Sequence, residues 1–179
     1  YYSMYRHCPI PDPVLGDWSD GERCPVAFER MRQRQSYDRI PAEVIREARA
    51  AYYGLITQID YNMGRVFAAL QDRGLFNDTL VLYTSDHGEF LGDHRSGSKV
   101  FFHEGSAHIP CVLRMPKCWD RRMSGTKSSA LVTHADVLPT LVAAAGGVPP
   151  KDCNGMDLIA LVRGEARPRE YLEAMSPPD

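Results

Sequence analysis

Residues Thr79–Pro110, TLVLYTSDHGEFLGDHRSGSKVFFHEGSAHIP, decide how this chain is read. The run Thr79 to Thr84 is apolar without alternation, the pattern of a parallel strand buried on both faces. It breaks at Ser85-Asp86-His87-Gly88 into a polar loop carrying acids, histidines and Lys99. A second apolar run, Ile109 to Met115, reads as another strand and stops at Pro116. In open α/β sheets, chemistry gathers where strands end and loops begin. Asp86 and His87 stand at such a point, with Gly88 permitting a sharp turn. A carboxylate beside an imidazole can ligate one divalent cation there. Lys99 follows the flexible Ser96-Gly97-Ser98 and can carry its ammonium back over the strand end. A compact ammonium suits one oxygen of a phosphate or sulfate group. Each feature has an ordinary alternative, a generic turn for Asp-His-Gly and an exposed loop lysine for Lys99. Glu104 is placed to pair with Lys99 or to bond a backbone amide. The stretch's four histidines, His87, His94, His103 and His108, with Asp93 could form a second metal cluster, although their spacing follows no standard zinc pattern.

Outward from this stretch, the chain is ordinary in bulk. Its 179 residues favour one domain large enough for a core, with 44% apolar and 25% charged residues. Twenty-one basic against 23 acidic side chains give no electrostatic footprint for nucleic acid or an anionic membrane. No apolar run approaches the roughly 20 residues that span a bilayer. Cys8, Cys24, Cys111, Cys118 and Cys153 are scattered without a CxxC pair, which favours free thiols; a single Cys8–Cys24 bridge is the alternative. The chain starts at Tyr1 rather than at a methionine, so residues ahead of it are expected.

In chain order, residues 1–40 are rich in Pro, Asp, Arg and aromatics. Pro9, Pro11 and Pro13 block helix and central strand alike, so this part reads as an irregular wrapping segment with little core of its own. From Pro41 to Arg73, apolar residues recur at three- and four-residue steps from Val44 to Leu70, an amphipathic helix closed by Gly74. Asp60 and Gly64 interrupt its stripe; they are expected to bond a neighbouring loop and to allow close packing. A helix is expected over Thr133–Gly146, capped by Asp136 or Thr133, with Pro139 in its first turn. Lys117 to Ser129 reads as a solvated surface loop, Leu158 to Val162 as a short helix ended by Gly164, and Glu170 to Met175 as the start of a strand. The order of elements is that expected of an incomplete α/β layer protein.

One resemblance gathers these features. Tyr83-Thr84-Ser85-Asp86-His87-Gly88-Glu89, Gly92-Asp93-His94, Lys99, Glu104, Ile109-Pro110 and Pro116 together resemble the C-terminal metal motif of the sulfatase family, in the alkaline phosphatase-like superfamily. Tyr52-Tyr53, Asp60, Gly64, Leu70, Gly74-Leu75 and Asn77-Asp78-Thr79 resemble the family's preceding helix. His134-Ala135-Asp136-Val137-Leu138-Pro139-Thr140-Leu141 resembles the following one, and Gly155-Met156-Asp157-Leu158 the next turn. The resemblance implies an alkaline phosphatase-like α/β sandwich with a mostly parallel central sheet, here without its N-terminal strands. Residues 41–179 would be the C-terminal part of the catalytic domain.

By the same resemblance, Asp86 and His87 are metal ligands and Lys99 is the catalytic, substrate-binding residue that contacts the sulfate. Glu104 is a supporting residue, and His103 stands where an aromatic is common. The implied reaction is hydrolysis of a small or saccharide sulfate ester. Metal and Lys99 would neutralise the sulfuryl oxygens while a formylglycine attacks sulfur in line. Calcium is the implied metal, with manganese second because His87 is a nitrogen donor. No cysteine here begins the C/S-x-P/A-x-R motif from which formylglycine is made; Cys24-Pro25-Val26-Ala27-Phe28 places its proline too early and lacks the arginine. The chain alone is therefore expected to be inactive, with its nucleophile and remaining ligands upstream. Phosphonate monoester or phosphodiester hydrolysis, and a non-catalytic anion- or partner-binding module, are the alternatives. A sheet lacking strands would leave an open edge and a bare helix stripe, to be covered by a missing segment or a second copy.

Overall fold

A computed structural model describes residues 1–16, 25–35, 37–99, 101–119 and 124–173. The chain divides into two compact units. One comprises Tyr1–Phe76 and His87–Cys111; the other comprises Asn77–Asp86 and Val112–Asp179.

The first unit is built on α3, Ala42–Asp72, preceded by α1, Tyr2–Tyr5, and α2, Val26–Gln35. Pro41 precedes α3 in extended backbone (ψ 143°). At its far end Gly74 is left-handed (φ 69°), Gly74 N donates to the Gln71 carbonyl and Leu75 N to the Leu70 carbonyl. This paired closure satisfies the last carbonyls of the helix, and Gly adopts the required φ without steric cost. The N-terminal segment runs along α3. Tyr5 and Thr57 share a 2.6 Å hydroxyl hydrogen bond, and Arg46 donates to the Arg6 and Cys8 carbonyls. Close approach occurs at Gly54, where a Cβ would lie 2.9 Å from Tyr2 N.

Gly64 does not play the packing part expected of it: nothing lies within 4 Å of its Cβ position, and Asp60 is exposed. The apolar stripe is likewise open along much of its length, with Leu55, Ile56, Ile59 and Val66 each half-exposed or more; in α3 only Ala50 and Gly54 are buried. Residues 26–35, expected to be irregular, instead form α2 and bury Phe28 and Met31.

In the second unit, β1, Val81–Thr84, pairs with β2, Cys111–Arg114, whose first residue belongs to the first unit. These two strands are the one sheet among the described residues. β1 is half-buried rather than buried on both faces, because a single neighbouring strand flanks it. The later helix begins as a 3₁₀ turn, His134–Asp136, and continues as α5, Val137–Ala144, with Pro139 in its first turn. Its cap is reciprocal: the Thr133 hydroxyl accepts from Ala135 N while the Asp136 carboxylate accepts from Thr133 N at 2.8 Å. α6 spans Leu158–Val162, capped by Asp157. The strand expected at 170–175 is reduced to an antiparallel bridge between Leu131 and Arg169, with 174–175 outside the described residues. Cys8, Cys111, Cys118 and Cys153 are free thiols; Cys24 lies outside the described residues. Among the described residues no helix is long and apolar enough to cross a membrane.

Candidate functional site

The pair Asp86-His87 straddles the division of the chain, so its surroundings are described one unit at a time. In the second unit, β1 delivers Ser85 and Asp86 just past its last paired residue. The Ser85 carbonyl accepts a 2.7 Å hydrogen bond from His134 Nε2. Asp86 is exposed, and the Ser85 hydroxyl reaches its Oδ1 at 3.4 Å.

In the first unit, His87 opens the loop. Its Nδ1 lies 2.7 Å from the Gly88 carbonyl, which can only accept. Nδ1 therefore carries the proton, and a neutral ring keeps its lone pair at Nε2. That Nε2 meets the Lys99 ammonium, so Lys99 does return to the start of the loop as its flexible approach suggested. Two devices shape the return. Gly88 N and Glu89 N donate to the Ser106 and Gly105 carbonyls at 2.7 and 2.8 Å, at α4 (Glu104–Ala107). A Cβ at position 88 would overlap the Gly105 carbonyl oxygen, so only glycine fits. The Glu89 carboxylate then accepts from Leu91 N and Ser98 N, closing the loop directly before Lys99.

Glu104 does not pair with Lys99; it bonds His108 Nδ1 at 2.6 Å one turn along α4. Asp93 and His94 are bound to the N-terminal segment. Asp93 Oδ1 accepts from Val14 N at 2.9 Å and from Arg49 at 3.3 Å, while His94 N and Nδ1 meet the Val14 and Leu15 carbonyls. Among the described residues no group of three or more His, Cys, Asp or Glu side chains could hold a metal ion. His103 does what an aromatic would, packing its ring against Phe28, Phe90, Phe101 and His94 at 4.7–6.3 Å. Burial, and then the neighbouring His94, lower its pKa.

Two residues that sequence reading left without a site role emerge: Glu89 as the loop's organiser and His134 at the strand end. Glu89 lies inside the quoted motif, so its position was on view. His134 opens the second quoted motif, but nothing there pointed to its partner, a backbone carbonyl 49 residues away.

The family model for the sulfatases matches residues 17–148, most of the chain. The chain belongs to the sulfatase family. With it comes membership of the alkaline phosphatase-like superfamily. The multifunctional alkaline phosphatase superfamily protein PehA of Trinickia caryophylli is 32% identical over 96% of this chain and 35% of its own length. An arylsulfatase of Clostridium perfringens is 33% identical over 90% of the chain and 33% of its own length. Among solved structures, the phosphonate monoester hydrolase of Silicibacter pomeroyi superposes with a TM-score of 0.74 at 30% identity, over 91% of this chain and 33% of that one. The chain thus spans about a third of the length of the relatives it matches.

Proposed function

We propose that the protein hydrolyses sulfate esters with a divalent metal, and that this chain is the C-terminal part of its catalytic domain. In this reading β1 and β2 are two strands of a mostly parallel central sheet. Asp86 and His87 are metal ligands, and Lys99 is the catalytic cation on the sulfate. The observation that supports it is the orientation of His87. With Nδ1 committed to the Gly88 carbonyl, the ring offers Nε2 to a cation, the arrangement by which ligating histidines are usually held. The Lys99 ammonium meets that same nitrogen, which supports reading Lys99 as the cation that serves the substrate.

A carboxylate oxygen and an imidazole nitrogen fit a divalent ion but fill only part of its shell, since calcium takes about six to eight ligands. Further ligands, and a formylglycine nucleophile, would come from outside these residues. Calcium is favoured through the family and manganese is second. When bound, the metal supplies charge neutralisation on the ester's oxygens. With Nε2 given to the metal, Lys99 keeps its three donors for the anionic group. That group is the sulfate of a small or saccharide ester.

The test is Lys99→Ala in the full-length protein. We expect kcat/KM on an aryl sulfate to fall by about 10²-fold or more, as for other pre-organised charge contacts. Activity near that of the wild type would rule Lys99 out. A second reading, phosphonate monoester hydrolysis, is favoured by the likeness to the Silicibacter enzyme. Comparing kcat/KM for an aryl sulfate and a phosphonate monoester separates the two.

A further inference from the structure

The second unit converges on one buried side chain, and that convergence ends at the strand carrying Asp86. Asp136 is fully buried. Its carboxylate accepts from Thr133 N and Met156 N at 2.8 Å each, and from both terminal nitrogens of Arg169 at 2.8 and 2.6 Å. The Asp136 carbonyl accepts from the Thr140 hydroxyl, which itself accepts from Leu158 N at 2.9 Å. Gly155 presses on the same turn so closely that a Cβ there would overlap the Ala135 carbonyl. The 3₁₀ turn His134–Asp136 is therefore held from its cap, from the 155–158 segment and from Arg169. It has little freedom to move.

We propose that His134 is a positioning residue for Asp86. It donates from Nε2 to the Ser85 carbonyl at 2.7 Å and so sets the peptide from which the Asp86 carboxylate projects. This rests on the reading of Asp86 as a metal ligand. The physical need is clear from the strand. β1 ends at Thr84, so Ser85 lies beyond the ladder that orients the preceding peptides. An exposed histidine would ordinarily sample several rotamers. Here its backbone is clamped by a buried ion pair, and its ring reaches the residue before the ligand.

The experiment compares His134→Met, similar in size but without a donor, with His134→Gln, whose amide can donate to the carbonyl. Both are made in the full-length protein alongside Asp86→Asn. Metal-free samples are titrated with Ca²⁺ and then Mn²⁺ by calorimetry, and their thermal midpoints are recorded before metal is added. Loss of an outer partner of a ligand should weaken metal binding about 10–100-fold in His134→Met. The metal-free midpoint should stay unchanged, and His134→Gln should recover most of the affinity. His134→Met binding like the wild type, with binding lost in Asp86→Asn, overturns the positioning role alone. So does an equal loss in both His134 variants accompanied by a lowered metal-free midpoint, which makes the residue merely structural. Unchanged binding in Asp86→Asn overturns the metal reading beneath it.

Discussion

Asp86 and His87 are neighbours in sequence, yet the two units secure them by opposite means. On the Asp86 side, order comes from a buried charge. Asp136 and Arg169 clamp a capped turn, and the turn extends His134 to the Ser85 carbonyl. On the His87 side, order comes from backbone. Gly88 and Glu89 pair with Ser106 and Gly105, and Glu89 then closes the loop ahead of Lys99. A charge clamp concentrates its stability in one pair and fails sharply when either partner is lost. A backbone ladder spreads stability over several bonds but depends on a steric exception, the missing Cβ of Gly88.

The largest expected effect tests the charge clamp. Asp136→Ala leaves Arg169 without its buried partner and should cost about 3–5 kcal/mol, read from chemical denaturation. A loss below about 1 kcal/mol, the worth of a surface pair, would show that the clamp does not organise the second unit. The backbone side breaks more gently. Gly88→Ala must displace the Gly105 carbonyl, with an expected cost of about 1–3 kcal/mol. Stability like that of the wild type in this variant would show that the loop adapts and is not sterically set.

The smallest expected effects are in pH, and they separate the two units. Burial and then His94 depress the His103 pKa, so folding favours its neutral form. The unfolded chain binds the proton more readily, and stability falls as pH drops below the ordinary histidine value of about 6.5. His103→Phe should flatten that fall, measured as melting midpoint against pH. For Asp136, burial raises the pKa, but hydrogen bonds from Arg169, Met156 and Thr133 and the Arg169 charge leave it net lowered. Its contribution is present above the ordinary carboxylate range, about pH 4, and is lost as pH falls through the depressed value. Hydrogen exchange should therefore show 87–111 loosening at milder acidity than 133–169. The reverse order would contradict these assignments.

Elements with strong local signals were legible. The helix from Pro41 to Gly74, the apolar run into Thr84, the cap at Thr133 or Asp136, which share it, and the short helix at Leu158–Val162 rest on periodicity, proline placement and capping. The proximity of Lys99 to the start of its loop was legible for the same reason, since glycine and serine permit the return. Residues whose meaning depends on distant partners were not. Gly54, not Gly64, is where α3 is approached closely, because Tyr2 happens to cross there. Glu104 turns to His108 rather than to Lys99, because α4 places a histidine one turn away.

For the Asp-His-Gly stretch itself, the sequence alone determined the residue types, their order and the family they belong to. Those properties are carried by adjacent residues and need no fold to exist. The tertiary structure decided which nitrogen of His87 carries the proton, which carboxylate closes the Lys99 loop, and which histidine holds the peptide before Asp86. Each of those depends on a carbonyl or amide brought close by folding, and a backbone group has no identity that a sequence can display.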